Sequence, residues 1–215
     1  MQLIGMLDSP YVRRVAISLQ LLELPFEHRS VSVFRGFDEF RHINPVVKAP
    51  TLVCDDGTVL MDSGLIVEYA ESIAGRSLMP AAPDAHRLAL RRLGLALAAC
   101  EKAVQIVYEG MVRPAEKRHE PWLERIRAQL AAAWSLLEAE AAQPPLLAAD
   151  GSIDQAGLTT AVTWQFTQQL LPGLVEPARH PALRDFSARA ERLPAFAAAP
   201  HGSGLDRGTA AAPAG

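Results

Sequence analysis

The chain has 215 residues, 49% of them hydrophobic, and a formal net charge of −3. This length allows one large domain or two modest ones around a sizeable core, and the mild charge, carried by scattered Lys and Arg residues, gives no basic face for nucleic acid. The sequence starts without the basic stretch and long apolar run of a signal peptide, and no window offers about 18 uncharged apolar residues, so we expect a cytoplasmic protein with no contact to membranes.

The first 75 residues switch repeatedly between strand-like and helix-like patterns. In chain order the predicted elements are a strand at 2–7, a helix after Ser9-Pro10, a strand at 26–33, a short helix at 37–40, strands at 51–54 and 58–61, and a helix after Asp62-Ser63. Ser is a good N-cap, Pro suits the first helical position, and Asp56-Gly57 suits a hairpin turn. The order β-α-β-α-β-β-α predicts a small α/β unit with a mixed sheet.

Apolar residues at helical spacing predict which helix faces are buried. In the first helix these residues are Val12, Val15, Ala16, Leu19 and Leu22. In the helix after Asp62-Ser63 the predicted inward stripe is Leu65, Ile66, Tyr69 and Ile73.

Beyond residue 77 the pattern is almost wholly helical. Two prolines and the absence of periodicity predict a linker at 78–85, and helices are predicted at 87–109, 122–142, 155–170 and 181–193. We therefore expect an α/β domain at 1–77 and an all-helical bundle domain at 86–200. The Gly-, Ala- and Pro-rich segment 201–215 is predicted to be disordered.

Cysteine and basic residues carry little functional signal by themselves. Cys54 and Cys100 stand far apart, in neither CxxC nor Cys/His spacing, so we expect reduced thiols, no disulfide framework and no metal site. The adjacent basic pairs are interpreted as solvated helix faces: Arg13-Arg14, Arg91-Arg92 and Lys117-Arg118.

Three short segments could carry chemistry, and each has an ordinary structural alternative. Ser9 stands where a strand meets a helix, so it could cap the helix or donate to an anion held there. Pro50 could simply begin a strand, or a cis bond could leave the Ala49 backbone free to pair with an extended peptide. Asp62-Ser63 could cap a helix or grip a carboxylate at its N-terminus.

Together these segments resemble the glutathione transferase superfamily over residues 1 to about 200. The resemblance rests on Ser9-Pro10-Tyr11-x-x-Arg14, Asn44-Pro45-x-x-Lys48-Ala49-Pro50, Asp62-Ser63…Ile66…Glu68-Tyr69 and His180-Pro181-x-Leu183…Arg192-Leu193-Pro194-Ala195-Phe196. It implies a thioredoxin-like N-terminal domain, an all-helical second domain, a twofold homodimer and a role in detoxification. Glutathione is the implied co-substrate, added as its thiolate to a small hydrophobic electrophile.

The resemblance also assigns roles to residues. Ser9 is expected to donate to the glutathione sulfur, Ala49 to pair with the cysteinyl backbone beside cis-Pro50, and Lys48 to lie near the glycyl carboxylate. Asp62 and Ser63 are expected to hold the γ-glutamyl amine and carboxylate. The expected second-substrate pocket includes the helix with Tyr108, Met111 and Arg113.

The sequence departs from the family pattern and leaves other functions open. Ala49 replaces the usual Val, Asp62 the usual Glu, and Gly157 the acidic N3 partner of the capping segment that starts at Asp154. A thiol-disulfide or dehydroascorbate reductase is disfavoured because it needs a cysteine at position 9. A glutathione-dependent isomerase, dehalogenase or peroxidase stays open, as does a non-catalytic binding or scaffold module, because fold does not fix function.

Overall fold

In the computed structural model, which describes residues 1–141 and 145–202, the first third of the chain forms a four-stranded mixed sheet with three helices. The elements are β1 (Gln2–Ile4), α1 (Pro10–Leu21), β2 (Glu27–Arg29), α2 (Phe37–Ile43), β3 (Thr51–Val53), β4 (Val59–Met61) and α3 (Ser63–Ala74). Their order confirms the predicted β-α-β-α-β-β-α sequence. In the sheet, ordered β2-β1-β3-β4, only the β1–β2 pair is parallel, which is the thioredoxin-like arrangement.

The two faces of this sheet are covered differently. Helices α1 and α3 pack together over one face, against Leu3 and Leu52. The opposite face holds a small separate cluster, in which Phe40 of α2 packs with Ile4 and Val31. Strand β2 is shorter than the predicted 26–33, because the chain turns inward after Arg29 and buries Val31 in that cluster.

The rest of the described chain is mostly helical. Its helices are α4 (Pro83–Met111), α5 (Glu120–Glu140), α6 (Gln155–Leu170), α7 (Pro181–Ala190) and the short α8 (Pro194–Ala197). Helix α4 packs along both α5 and α6, and α6 also contacts α1 and α7. The large hydrophobic core is therefore continuous from the sheet into the helical part.

The predicted boundaries differ from the observed ones in places. Helix α4 begins at Pro83, inside the predicted linker 78–85, because proline is tolerated in the first turn of a helix. The division of the chain into domains at these boundaries stays a prediction. Ala142, the predicted end of the helix at 122–142, and all but the first two residues of the predicted disordered tail lie outside the described residues.

The predicted core faces are confirmed for α1 and corrected for α3. All five residues of the predicted α1 stripe are buried. On α3, however, Leu65 and Ile73 are 61% and 45% exposed, whereas Ile66, Val67 and Ala70 are buried. Adjacent helical residues point about 100° apart, so Leu65 and Ile73 flank the buried stripe and do not belong to it.

Arg13 ties α1 to the C-terminal part of the described chain. Its guanidinium donates to both carboxylate oxygens of Glu191, at 2.7 and 2.6 Å, and its Nε donates to the carbonyl oxygen of Ala199 at 2.8 Å. Arg13 is 1% exposed and Arg14 is 4% exposed. The interpretation of this pair as a solvated face is therefore wrong, since α1 is enclosed by α3, α6 and α8.

Both cysteines are buried and unpaired. Burial raises the pKa of the Cys100 thiol to about 12, against the opposing hydrogen bonds from Tyr11 and Thr163. Within the described ranges, no helix combines the length and apolar character that crossing a membrane requires.

The start of α6 explains why a glycine stands where an acidic residue is usual. The Asp154 Oδ1 accepts a hydrogen bond from the Gly157 N–H at 2.8 Å, so the predicted N-cap forms. A Cβ at position 157 would lie only 2.3 Å from the carbonyl oxygen of Leu146 and 2.8 Å from the Ile153 side chain. Close packing therefore excludes any side chain there.

Gly157→Ala should lower the free energy of unfolding by about 2 kcal/mol, because the added methyl overpacks a site bounded by backbone. Gly94→Ala is the matched control, since nothing lies within 4 Å of a Cβ at that exposed position of α4. It should raise stability by up to about 1 kcal/mol. Urea unfolding measures both variants, and equal effects would contradict the packing argument.

Candidate functional site

A cleft of about 1280 Å³ lies between the sheet and the helices α4, α5 and α6. It brings together all but one of the residues singled out by the sequence: Ser9, Lys48, Ala49, Pro50, Asp62, Ser63, Tyr108 and Met111. Arg113 is the exception. Helix α4 ends at Met111, and the Arg113 guanidinium donates to Glu109 at 2.9 Å, outside the residues that line the cleft.

Ser9 lies at the carboxyl end of β1 and forms the N-cap of α1. Its Oγ accepts from the Val12 N–H at 3.5 Å, which is long for a hydrogen bond. The hydroxyl thus serves as the cap, while its own hydrogen can still donate into the cleft that Ser9 lines. The two interpretations of Ser9 are compatible.

The segment Lys48-Ala49-Pro50 forms the adjacent wall of the cleft, and the Ala49–Pro50 peptide bond is cis. No hydrogen bond from the Ala49 N–H occurs within the described part of the chain. Asn44, 1% exposed, holds the segment in place: its amide donates to Thr51 Oγ1 at 2.8 Å and accepts from the Val46 N–H at 3.0 Å. Asn44 thus keeps the turn before Ala49 in a fixed conformation.

Asp62, and not Ser63, is the N-cap of α3. Its Oδ1 accepts from the Gly64 N–H at 2.9 Å and its Oδ2 lies 3.4 Å from Lys48 Nζ. Partial burial raises the pKa of the Asp62 carboxyl, but the hydrogen bonds from Gly64 and Lys48 outweigh it, so the pKa lies below its usual value. The carboxylate is therefore ionised and held at the cleft.

Ser63 is the first residue of α3 and is 5% exposed. Its Oγ accepts a hydrogen bond from Arg14 Nη1 at 3.1 Å. The sequence pattern predicts a solvated face for Arg13-Arg14, although Arg14 also ends the motif Ser9-Pro10-Tyr11-x-x-Arg14, so reasoning from the sequence misses the contact of this guanidinium with Ser63. Because Ser63 lies 49 positions further along the chain, no local pattern could have predicted this contact.

Helix α4 contributes aromatic and apolar side chains to the cleft, among them Tyr108 and Met111. The ring of Tyr108 packs edge-to-face on Phe34, with 5.6 Å between centroids, and Met111 is exposed one turn further along α4. Burial, and secondarily the charge of Asp8, raises the pKa of Tyr108, while burial also raises the pKa of Asp8 beside Ser9. Phe34 directly follows the predicted strand 26–33, and no motif or periodicity in the sequence predicts that it lines the cleft.

Within residues 1–141 and 145–202, no group of three or more His, Cys, Asp or Glu residues is placed to hold a metal ion. The polar groups that the three sequence segments contribute to the cleft include a hydroxyl at a helix start, a backbone N–H, an ammonium group and a carboxylate. This set suits an extended, charged peptide with both acidic and amino groups.

The chain is similar to known proteins in sequence and in structure. Residues 3–78 match the family described as "Glutathione S-transferase, N-terminal domain". A relative in Escherichia coli K12, "Uncharacterized GST-like protein YibF", is 25% identical over 173 residues, which is 80% of this chain and 86% of the relative.

Two solved structures resemble the chain over most of its length. A glutathione transferase family member from Pseudomonas fluorescens Pf-5 with bound glutathione is 28% identical, with a TM-score of 0.78, over 92% of this chain and 97% of its own. A glutathione S-transferase from Methylobacterium radiotolerans, in complex with glutathione sulfonate, is 26% identical, with a TM-score of 0.83, over 92% and 93% of the two chains.

Asp62→Asn should lower stability at neutral pH by up to about 1 kcal/mol, because the variant keeps a capping oxygen but loses the charge. Since the folded-state pKa of Asp62 lies below its usual 3.8, the stabilisation is present above pH 3.8 and disappears as the pH falls through the folded-state value. Urea unfolding at a series of pH values checks this.

The control is Asp84→Asn, whose ion pair with Arg87 is almost fully exposed. It should change stability little at any pH. A stability deficit of Asp62→Asn that stays constant down to the lowest pH would contradict the assignment.

Proposed function

Because the chain belongs to the glutathione transferase superfamily, we propose that it binds glutathione in this cleft, stabilises the thiolate and adds it to a small hydrophobic electrophile. The observation that carries the proposal is the meeting of three sequence segments, around Ser9, Ala49 and Asp62-Ser63, along one wall of the cleft. The family member from Pseudomonas fluorescens solved with bound glutathione supports the choice of ligand. A cytoplasmic location and a role in detoxification belong to the same proposal.

The energy required for thiolate formation matches what this site offers. A free cysteine-type thiol has a pKa of about 8.5, so only a few per cent is ionised at neutral pH. Lowering the pKa by about two units takes about 2.7 kcal/mol. One hydrogen bond to the thiolate supplies about 1.5–3 kcal/mol, and the start of α1 adds up to about 1 kcal/mol.

Ser9 acts in this proposal as a hydrogen-bond donor and not as a base. Its oxygen already accepts weakly from the Val12 N–H, which leaves the hydroxyl hydrogen to point at the sulfur. Among the residues that line the cleft there is no histidine to take up a proton from the hydroxyl, so a hydrolase-type activated serine is disfavoured.

The remaining contacts follow from charge and backbone geometry. The Ala49 N–H, which has no hydrogen-bond partner among the described residues, bonds the cysteinyl carbonyl in this proposal, as strands pair. Lys48 lies near the glycyl carboxylate, while Asp62 attracts the γ-glutamyl ammonium and Ser63 receives its carboxylate. The Lys48–Asp62 ion pair, 3.4 Å long and about half exposed on both sides, is weak enough to be exchanged for ligand contacts.

The second substrate occupies the aromatic part of the cleft. Tyr108 and Met111 of α4, together with Phe34 from the segment between β2 and α2, offer an apolar surface in the cleft that Ser9 also lines. Such a surface stabilises an apolar electrophile next to the sulfur by removing its surface from water.

Ser9→Ala should raise the pKa of the bound thiol by about one to two units and lower kcat by about 10- to 100-fold, because the thiolate loses its hydrogen bond. The near-ultraviolet absorbance of the thiolate, titrated with the protein saturated in glutathione, reports the pKa. Turnover is measured with an aromatic electrophile.

Two controls separate the hydroxyl from the helix cap. Ser9→Thr keeps both and should behave like the unchanged protein, whereas Ser9→Gly keeps a competent cap and should behave like Ser9→Ala. An Ala variant with normal thiolate formation would refute the role of Ser9. Binding of glutathione without turnover of any electrophile would favour a non-catalytic module.

We also propose that the chain pairs with a second copy of itself. Strand β4 and helices α3 and α4 expose apolar side chains that are between 37% and 61% accessible: Val59, Leu65, Ile73 and Leu90. In this proposal the four residues form one apolar patch, the kind of surface that marks an interface, and twofold dimers are the commonest assemblies.

The double substitution Leu65→Glu and Leu90→Glu should convert a dimer into a monomer, because it would place carboxylates in the apolar interface. Leu136→Glu on α5, a residue of similar exposure, is the control and should leave the dimer intact. Sedimentation velocity at micromolar concentration distinguishes the species. A monomeric unchanged protein would contradict the proposal.

A further inference from the structure

Arg14 is a buried cation whose two hydrogen-bond partners in the described part of the chain are neutral. Its Nη1 donates to Ser63 Oγ at 3.1 Å and its Nε donates to Thr159 Oγ1 at 3.0 Å. The side chain reaches from α1 to α3 on one side and α6 on the other, and it is 4% exposed.

Among the described residues the guanidinium has no close counter-ion. No carboxylate of the described residues forms an ion pair with Arg14, whereas its neighbour Arg13 has a bidentate pair with Glu191. Asp62 and Glu71 act on Arg14 only at longer range, and burial lowers its pKa in spite of them. A buried charge without a partner is costly, so this position is suited to an anion that arrives from outside the chain.

Ser63 connects the guanidinium to the cleft. Its Oγ already accepts from Arg14, so the hydroxyl hydrogen points away from the guanidinium. Ser63 is also the first residue of α3 and lines the cleft. A carboxylate placed there would receive this hydroxyl together with the N-terminal end of α3.

We propose that Arg14 is a positioning residue for glutathione, an inference that rests on the proposed function. Its guanidinium orients the Ser63 hydroxyl toward the α-carboxylate of the γ-glutamyl unit and supplies the positive charge behind it. Arg14 thereby selects for a ligand with a carboxylate at this end, without touching the ligand itself.

The test compares two ligands, glutathione and γ-aminobutyryl-cysteinyl-glycine, which lacks only that α-carboxylate. Calorimetric titration of the unchanged protein should show a clear preference for glutathione. Arg14→Gln should weaken glutathione binding about tenfold or more, as expected for the loss of a charge-assisted contact, and leave binding of the analogue nearly unchanged. Arg14→Lys, which keeps the charge, should restore part of the preference.

A second variant keeps the test independent of folding. Thr159→Val removes one anchor of the guanidinium, retains its charge and nearly preserves side-chain shape, so a smaller but equally selective loss of glutathione binding is expected. Glu191→Gln is the control, because it removes the ion pair of the neighbouring Arg13. It should lower stability but leave the ratio of the affinities for glutathione and for the analogue unchanged.

The outcomes separate this inference from the proposed function. If the unchanged protein binds neither ligand, the proposed function fails and this inference fails with it. If it prefers glutathione and both the Arg14→Gln and Thr159→Val variants keep that preference, or weaken both ligands equally, only the role of Arg14 is overturned.

Discussion

Two adjacent guanidinium groups, buried on the same helix, determine how the two parts of the molecule meet. Arg13 binds Glu191 and the Ala199 carbonyl near the C-terminal end of the described chain, and Arg14 bridges Ser63 and Thr159. Helix α1 is thus fixed by directional bonds to α3, to α6 and to the residues that follow α7 and α8, as well as by apolar packing. Because Ser9 caps this same helix, the position of its hydroxyl depends on these bonds.

This arrangement explains why the cleft can be built from segments that are distant in sequence. The turn before Ala49 is held by Asn44, the start of α3 is capped by Asp62, and α1 is anchored by its arginines. Each segment is fixed by buried or capping hydrogen bonds that do not require a ligand. Because these donors are already held in position, ligand binding loses little free energy to ordering the site.

The sequence predicted what depends on local pattern. The order of elements, the buried stripe of α1 and the meeting of Ser9, Ala49 and Ser63 all follow from short-range periodicity, capping residues and family resemblance. Leu65 and Ile73 were misplaced, because several apolar residues fit helical spacing and only the packing of α1 selects the buried face. The motif Ser9-Pro10-Tyr11-x-x-Arg14 includes Arg14 but does not predict its role, because Arg14 contacts Ser63 and Phe34 contacts Tyr108, both far along the chain.

The burial of Cys54 and Cys100 has a practical meaning for a protein proposed to handle a small thiol. Thiol–disulfide exchange requires an accessible thiolate, and neither side chain is more than 8% exposed. Mixed disulfides with the ligand are therefore disfavoured in the folded state, and alkylating dyes added to the native protein should modify a bound tripeptide in preference to the polypeptide. The two cysteines of the folded protein should therefore contribute little to an assay that follows the thiol of the ligand.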